Sequence, residues 1–352
     1  MSEPLYKTGT LLKRKLQVRY PAGQGRIVLR TELDWDRDVE PVEVRDDGTT
    51  SVFALEAKRP FLYVKPCLRD AKGELHWGQG SNKLVVMTGP GQRQVFPYFF
   101  ATDHGRFTEV IERESKILGR PHKVRIYIPP GYDENTLKRY PVIYMQDGTN
   151  LFFPAEAFLG RTWGVTESLE LLDKMHVIEG TLVVGIHAQD RMEEYTKPGY
   201  EAYGRSVVEE VCPVIAAKAR THGVPEATCV IGSSLGGVVS FYMGWQWPEV
   251  FGNVACMSST FSFKDDLIER VLSEPRRPTC FYLDSGWPED NSETTAAMAV
   301  ALAQRGWVFG HDLLHVAFPR EGHNELAWGK RLHLPLQFFA GRVRAGLPAL
   351  TV

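Results

Sequence analysis

The stretch Gly232-Ser233-Ser234-Leu235-Gly236-Gly237 decides how this 352-residue chain is read. An apolar run, Ala227–Ile231, comes before it, and a helix-like run, Val238–Trp247, follows. A G-x-S-x-G between a strand and a helix reads as a nucleophile elbow. The chain must turn so sharply there that a Cβ beside the serine would clash, which is why glycines flank it. Such a turn lifts Ser234 Oγ out of the sheet and aims the first N–H groups of the helix at whatever the serine attacks. A helix N-cap, with Ser233 or Ser234 satisfying orphan N–H groups, is the plain alternative. It leaves the bracketing glycines unexplained.

Acyl transfer by Ser234 requires a base, an acid and an oxyanion hole. In this chain order the base follows the last strand. Pro319-Arg320-Glu321-Gly322-His323-Asn324 places His323 on a Gly-containing loop ahead of a helix, whereas His311, His315 and His333 lie inside strand or helix patterns. The acid belongs between serine and histidine, in Phe281-Tyr282-Leu283-Asp284-Ser285-Gly286-Trp287-Pro288-Glu289-Asp290-Asn291. Asp290, past the strand end, is the first choice, with Asp284 and Glu289 as alternatives; Asp290 would otherwise serve as an N-cap. Its task is to fix the histidine tautomer and stabilise the imidazolium. Leu235 N–H is the expected first oxyanion donor, and Thr149 N–H, in the loop Gln146-Asp147-Gly148-Thr149-Asn150, the second. An ordinary Asp-Gly turn is the competing reading of that loop.

Around these motifs the chain changes character near residues 90–110. Earlier runs, Leu12–Tyr20, Arg26–Leu33, Ser51–Leu55, Phe61–Leu68 and Lys83–Met87, are short and split by turn residues, which predicts an antiparallel β-sandwich over residues 1–105. Thr88-Gly89-Pro90-Gly91 marks the crossing, and Phe96, Tyr98, Phe99 and Phe100 are expected to pack at the interface. From 106 to 345 strands alternate with helices: Phe107–Lys116, Lys123–Ile128, Val142–Met145, Leu182–Ile186, Thr228–Ile231, Asn253–Met257, Cys280–Leu283 and Leu313–Ala317 against Val165–Leu172, Ala202–Thr221, Leu235–Trp247, Phe263–Leu272, Glu293–Gln304 and Glu325–Phe339. That alternation predicts a mainly parallel sheet with helices on both faces, its first two strands antiparallel.

Composition excludes several classes. A net charge of −2 points to neither nucleic acid nor an anionic membrane. Met1–Thr10 lacks a signal-peptide apolar core. No apolar stretch is long enough for a membrane span. A soluble cytoplasmic protein is therefore expected. The five cysteines are scattered with no C-x-x-C pair, so reduced, buried thiols are expected rather than disulfides or a metal site. No sequence pattern calls for a cofactor. Oligomeric state is left open.

With these pieces in order, the chain resembles the esterase D-like branch of the α/β-hydrolases, which includes enterochelin esterases, feruloyl esterases and mycobacterial mycolyltransferases. The segments that carry the likeness are Arg125-Ile126-Tyr127-Ile128-Pro129-Pro130-Gly131-Tyr132, Val142–Gly148, Gly232–Gly237 and Gly322-His323-Asn324 with Trp328; Arg191 and Glu194-Tyr195-Thr196 also look like a family loop. It covers roughly residues 107 to 340. The resemblance implies an α/β-hydrolase fold, an immunoglobulin-like N-terminal domain able to lid the site, and serine ester hydrolysis without a cofactor. An enterochelin-type substrate, a polyanionic ferric catecholate, would need cations, for which Arg161, Arg191, Arg205 and Lys197 are candidates. Trp163, Trp287 and Trp328 lie beside the expected catalytic loops and suit an aromatic acyl group, although such residues also anchor loops in the core. Feruloyl-type or general esterase, acyltransferase, and a non-catalytic carbohydrate binder using Trp35 and Trp77 are the alternatives; burial in the sandwich is the plainer fate of those last two rings.

Overall fold

The computed structural model describes residues 9–88 and 93–341. Residues 89–91 of the expected crossing lie outside these. Among the described residues nine strands come first: β1 (Leu12–Arg19), β2 (Arg26–Thr31), β3 (Asp34–Val39), β4 (Glu43–Arg45), β5 (Thr50–Ala57), β6 (Phe61–Arg69), β7 (Leu75–Trp77), β8 (Lys83–Val86) and β9 (Arg93–Val95). They form one sheet in the order β4-β5-β1-β9 and a second in the order β3-β2-β6-β7, with β8 also paired to β6. Leu16, Val18, Phe53 and Leu55 of the first sheet share one core with Ile27, Leu29, Leu62 and Val64 of the second, which makes a β-sandwich. Its described pairs are antiparallel except β1–β9, which is parallel.

The sequence reading misses β3, β4, β7 and β9. Each is short, and β3 (Asp-Trp-Asp-Arg-Asp-Val) and β4 (Glu-Val-Arg) carry too much charge to show a buried face. Asp46, Asp47 and Gly48, between β4 and β5, all have positive φ. Trp35 is half-buried and Trp77 is exposed, so neither is a core residue. The Arg30 guanidinium lies 5.3 Å from the Trp77 ring centroid. A cation at that distance occupies one face of the ring.

Nine further strands build a third sheet: β10 (Arg106–Phe107), β11 (Ile111–Ser115), β12 (Arg120–Ile128), β13 (Val142–Met145), β14 (Leu182–Ile186), β15 (Thr228–Ser233), β16 (Asn253–Met257), β17 (Cys280–Trp287) and β18 (Leu313–Pro319). Its order is β10-β12-β14-β13-β15-β16-β17-β18, with β11 also paired to β12. The sheet is parallel from β14 through β18 and antiparallel where β12 meets β11 and β14. Alternate residues of each central strand enter different cores. Val142, Tyr144, Val184, Val230 and Val254 pack on one face, and Ile143, Met145, Val183, Ile231 and Ala255 on the other. Burial on both faces is why these strands read as unbroken apolar runs.

The helices are α1 (Val165–Lys174), α2 (Arg191–Glu194), α3 (Gly199–Ser206), α4 (Cys212–Lys218), α5 (Leu235–Gln246), α6 (Leu267–Ser273), α7 (Ser292–Gln304), α8 (Glu325–Arg331) and α9 (His333–Ala340). A π-helical turn, Val207–Val211, joins α3 to α4, so the helix expected at Ala202–Thr221 starts earlier and ends at Lys218. The one expected at Glu325–Phe339 is two helices that meet at Leu332. Phe107–Lys116 is two strands, and the helix expected from Phe263 starts only at Leu267. Among the described residues, no helix is long and apolar enough to cross a membrane.

Polar contacts join the sandwich to the nine-stranded sheet. Glu134, in the loop after β12, accepts the N–H groups of Phe99, Phe100 and Ala101 at 2.6, 2.9 and 2.8 Å and the Tyr20 hydroxyl at 2.9 Å. Asn135 Nδ2 donates to the carbonyls of Arg19 and Pro97. Of the aromatics between them, Tyr98 packs against Gly131, Phe99 enters the sandwich core and Phe100 is exposed.

Candidate active site

Ser234 sits between the end of β15 and the start of α5 with φ 54° and ψ −125°. A positive φ of that kind is a high-energy conformation for a serine. Its N–H donates to the Met257 carbonyl at 2.9 Å, which ties the turn to the end of β16. The glycines are needed for close approach. A Cβ on Gly232 would lie 2.1 Å from the Gly236 carbonyl oxygen, and one on Gly237 would lie 1.8 Å from Ser259 Oγ. Leu235 opens α5, so its N–H is among the donors that a helix leaves unpaired at its start.

The loop after β13 approaches the same point. Asp147, not Gly148, takes the left-handed conformation (φ 56°), and Gly148-Thr149-Asn150 form a 3₁₀ turn. Gly148 serves a different need, since a Cβ there would meet the Gly185 carbonyl carbon at 2.7 Å. Asp147 is buried, and its Oδ2 lies near the first turn of α5, 3.1 Å from where a Gly236 Cβ would stand. Burial pushes its pKa up, and Arg191 opposes that shift. The two form a fork, with Nε 2.9 Å from Oδ1 and Nη2 3.2 Å from Oδ2. Arg191 is thus committed to the loop beside the elbow.

His323 lies on the loop between β18 and α8, one third exposed, with its ring edge-on to Trp328 at 5.1 Å and 84°. Its Nδ1 is 2.8 Å from Asp290 Oδ1. An ionised carboxylate only accepts, so Nδ1 carries the proton and Nε2 keeps the lone pair. Burial disfavours the Asp290 charge. Hydrogen bonds from His323, Ser258 and the N–H groups of Gly286 and Asn291 outweigh it and hold the pKa at about 2.

The other two carboxylates are elsewhere. β17 runs on to Trp287, past the end read from sequence, and this places Asp284 inside the sheet, opposite Met257 and Val316. Asp284 is fully buried and accepts the Tyr282 hydroxyl at 2.8 Å; its Oδ1 is 3.3 Å from Arg331 Nη2. Burial pushes its pKa up to about 6 despite that arginine. Glu289 is exposed.

Trp163 and Trp328 are buried against each other at 5.8 Å, and Trp328 Nε1 donates to Ser258 Oγ at 3.0 Å, so both are core anchors. Trp287, at 56% exposed, is the tryptophan of the three that offers its face to solvent. Lys197 is paired with Asp266, while Arg161 and Arg205 are exposed. Ser258, Asn291 and Arg331 join the site without having been expected. Nothing local in Met257-Ser258-Ser259 or in a helix-ending Lys330-Arg331 signals that they meet Asp290.

The Esterase family profile matches residues 115–328, more than half of the chain, a range that includes Ser234, Asp290 and His323. Among curated relatives, the chain is 24% identical over 155 residues to the uncharacterised protein YbbA and 30% identical over 186 residues to the uncharacterised protein YjcH, both of Bacillus subtilis strain 168. These matches take in 40% and 51% of this chain and span 57% of YbbA and 73% of YjcH. Among solved structures, it is similar to a ferulic acid esterase (TM-score 0.57, 18% identity, 67% of this chain and 98% of that one). It is also similar to the ferric enterobactin esterase of Salmonella typhimurium (TM-score 0.56, 15% identity, 96% of each chain). At these identities the structures speak for the fold, an α/β-hydrolase sheet behind a β-sandwich. The profile match over the elbow, the acid loop and the histidine loop establishes descent: the chain belongs to the Esterase family, enzymes of the carboxylic-ester hydrolase class.

Proposed function

We propose that the chain is a serine carboxylic-ester hydrolase with Ser234 as nucleophile, His323 as general base and acid, and Asp290 as the residue that orients the imidazole. The observation that carries this reading is the 2.8 Å contact between His323 Nδ1 and Asp290 Oδ1, which leaves Nε2 as the basic nitrogen. In the first half-reaction Nε2 takes the Ser234 hydroxyl proton as Oγ attacks the ester carbonyl. The tetrahedral oxyanion is met by the N–H groups of Leu235 and Thr149. Its collapse breaks the ester C–O bond, the alkoxide leaves with the proton from Nε2, and an acyl-enzyme remains. Water, deprotonated by the same nitrogen, then attacks the acyl carbonyl; the acyl–Oγ bond breaks, Ser234 Oγ takes the proton back from Nε2, and the carboxylic acid is released. Asp290 stays ionised throughout. An acyltransferase would pass the same acyl group to an alcohol, which product analysis in the presence of an alcohol distinguishes.

For the acyl group, charge ranks the options. Arg191 and Lys197, two of the cations nominated to meet a polyanion, are paired with Asp147 and Asp266, while Trp287 presents an exposed ring. A neutral aromatic ester is therefore the first expectation. A siderophore of the enterochelin type is the second reading, favoured by a likeness to ferric enterobactin esterase that spans sandwich and sheet together. We also propose a domain division at residues 105/106, supported by β9 ending the sandwich at Val95 and β10 opening the nine-stranded sheet at Arg106.

A fluorophosphonate probe tests the nucleophile. Wild type is expected to label and Ser234→Ala not to. Absence of labelling, or equal labelling of the variant, overturns the assignment. Rates on a tri-catecholate lactone, a feruloyl ester and p-nitrophenyl acetate then rank the substrate classes.

A further inference from the structure

Ser258 follows the last residue of β16, is fully buried and has a positive φ of 47°. That conformation strains any residue with a Cβ. Three side chains converge on its hydroxyl. Trp328 Nε1 lies at 3.0 Å, Arg331 Nη2 at 2.7 Å, and Asp290 Oδ2 within hydrogen-bond reach. Indole and guanidinium nitrogens can only donate, and a hydroxyl has one proton and two lone pairs. With both lone pairs taken, the single proton of Ser258 must point at Asp290.

That bond completes the set around the acid. Oδ1 accepts His323 Nδ1–H and the Asn291 N–H; Oδ2 accepts the Ser258 hydroxyl and the Gly286 N–H. Four donors fill the roughly four acceptor positions of a carboxylate, so Asp290 has little freedom to rotate away from the imidazole. Arg331, almost wholly buried, lies 3.8 Å from Asp290 Oδ2 and makes its hydrogen bond to Ser258 Oγ. Its charge thus acts on Asp290 both directly and, by its hydrogen bond, through the serine. The Ser258 backbone holds the same region from the other side: its N–H donates to the Asp284 carbonyl at 2.7 Å and its carbonyl accepts Asn291 Nδ2 at 2.8 Å. One residue earlier, the Met257 carbonyl holds the N–H of Ser234.

We infer that Ser258, polarised by Arg331, is a positioning residue that locks Asp290 onto His323 and joins the acid–base pair to the nucleophile turn through the 257–258 peptide. The inference rests on the proposed roles of Ser234, His323 and Asp290. Ser258 acts through Asp290 and not on the substrate.

The test is Ser258→Gly, which deletes the hydroxyl and relieves the positive φ. On an aryl ester, kcat is expected to fall about 10- to 100-fold, what one hydrogen bond to a charged group contributes, with KM within about twofold. The low-field NMR resonance of the His323 Nδ1 proton is expected to shift or disappear. Arg331→Lys keeps the charge without the fixed fork and should lower kcat by a smaller factor. The double variant should lose less than the product of the two single effects, because part of the arginine's action runs through the serine. Thermal unfolding of each variant separates lost positioning from lost folding. A Ser258→Gly protein with kcat within about twofold of wild type and an unchanged low-field proton overturns the inference, while fluorophosphonate labelling of Ser234 shows the esterase reading still standing. A wild type whose Ser234 does not label takes down both.

Discussion

Strands β15 and β4 lie at opposite extremes of this fold. β15 is buried along its whole length at the centre of a parallel sheet, and its last residue hands the chain to Ser234. β4 is a three-residue edge strand of the sandwich, exposed throughout. Between them lies the difference between two ways of using a sheet. In the parallel sheet each strand end is a fixed platform, and the segments carrying Ser234, Asp290 and Thr149 begin at the ends of β15, β17 and β13. In the sandwich, packing is shared between two sheets, the edges are free to vary, and the tie to the rest of the chain is a few polar contacts around Glu134 and Asn135.

The hardest way to break this contrast is at the elbow. Ser234→Ala should lower kcat on an aryl ester by about 10⁶, as loss of the nucleophile does in a serine hydrolase, with little change in the unfolding temperature. Next comes the pair of aspartates on and beyond β17. Asp290→Asn should cost about 10⁴ in kcat by favouring the wrong imidazole tautomer. Asp284→Asn should stay within about tenfold, since Asp284 faces Tyr282 and Arg331 rather than His323. Reversal of that order in steady-state rates would reassign the acid.

The same pair predicts opposite pH dependences of stability. Asp290 is held at about 2, below its ordinary 3.8. Its contribution is therefore complete above pH ~4 and is lost as pH falls toward ~2. Asp284 is raised from 3.8 to about 6. The folded state takes up its proton first, and stability declines as pH rises from ~4 through ~6. Urea titrations of wild type, Asp290→Asn and Asp284→Asn across this range should show each variant losing its own slope.

At the junction, Glu134→Ala strands three backbone donors and a phenol. It should destabilise by about 2–4 kcal/mol in urea titration. Its kcat on p-nitrophenyl acetate should stay within about twofold. A large loss of rate on that small ester would mean that the sandwich shapes the site itself. Smallest of all is Val44→Thr on the exposed edge strand. It should change stability by at most about 0.5 kcal/mol.

Legibility in the sequence follows the same divide. Val142–Met145, Leu182–Ile186 and Asn253–Met257 form strands with the bounds read from their apolar runs, because both faces of each are covered. Asp34–Val39 and Glu43–Arg45 are invisible to that reading, because a half-exposed edge strand tolerates charge. Ser234, His323 and Asp290 can be proposed from sequence because motif and chain order point to loops at strand ends. Ser258 and Arg331 cannot. They are far from Asp290 along the chain, and only the register of β16 against β17, with α8 laid over both strand ends, brings the three together. Trp163 and Trp328 read as possible platforms because proximity to catalytic loops in sequence does not say which side of a ring faces the core.

The central claim is that Ser234 carries an acyl group between two half-reactions. Rapid-quench hydrolysis of p-nitrophenyl acetate, followed by mass analysis of the peptide containing Ser234, tests it most directly. A burst approaching one p-nitrophenolate per chain and a transient acetyl group, about 42 Da, on Ser234 are expected, both absent in Ser234→Ala. Turnover with no burst and no adduct in wild type, or an adduct that persists in Ser234→Ala, would contradict it.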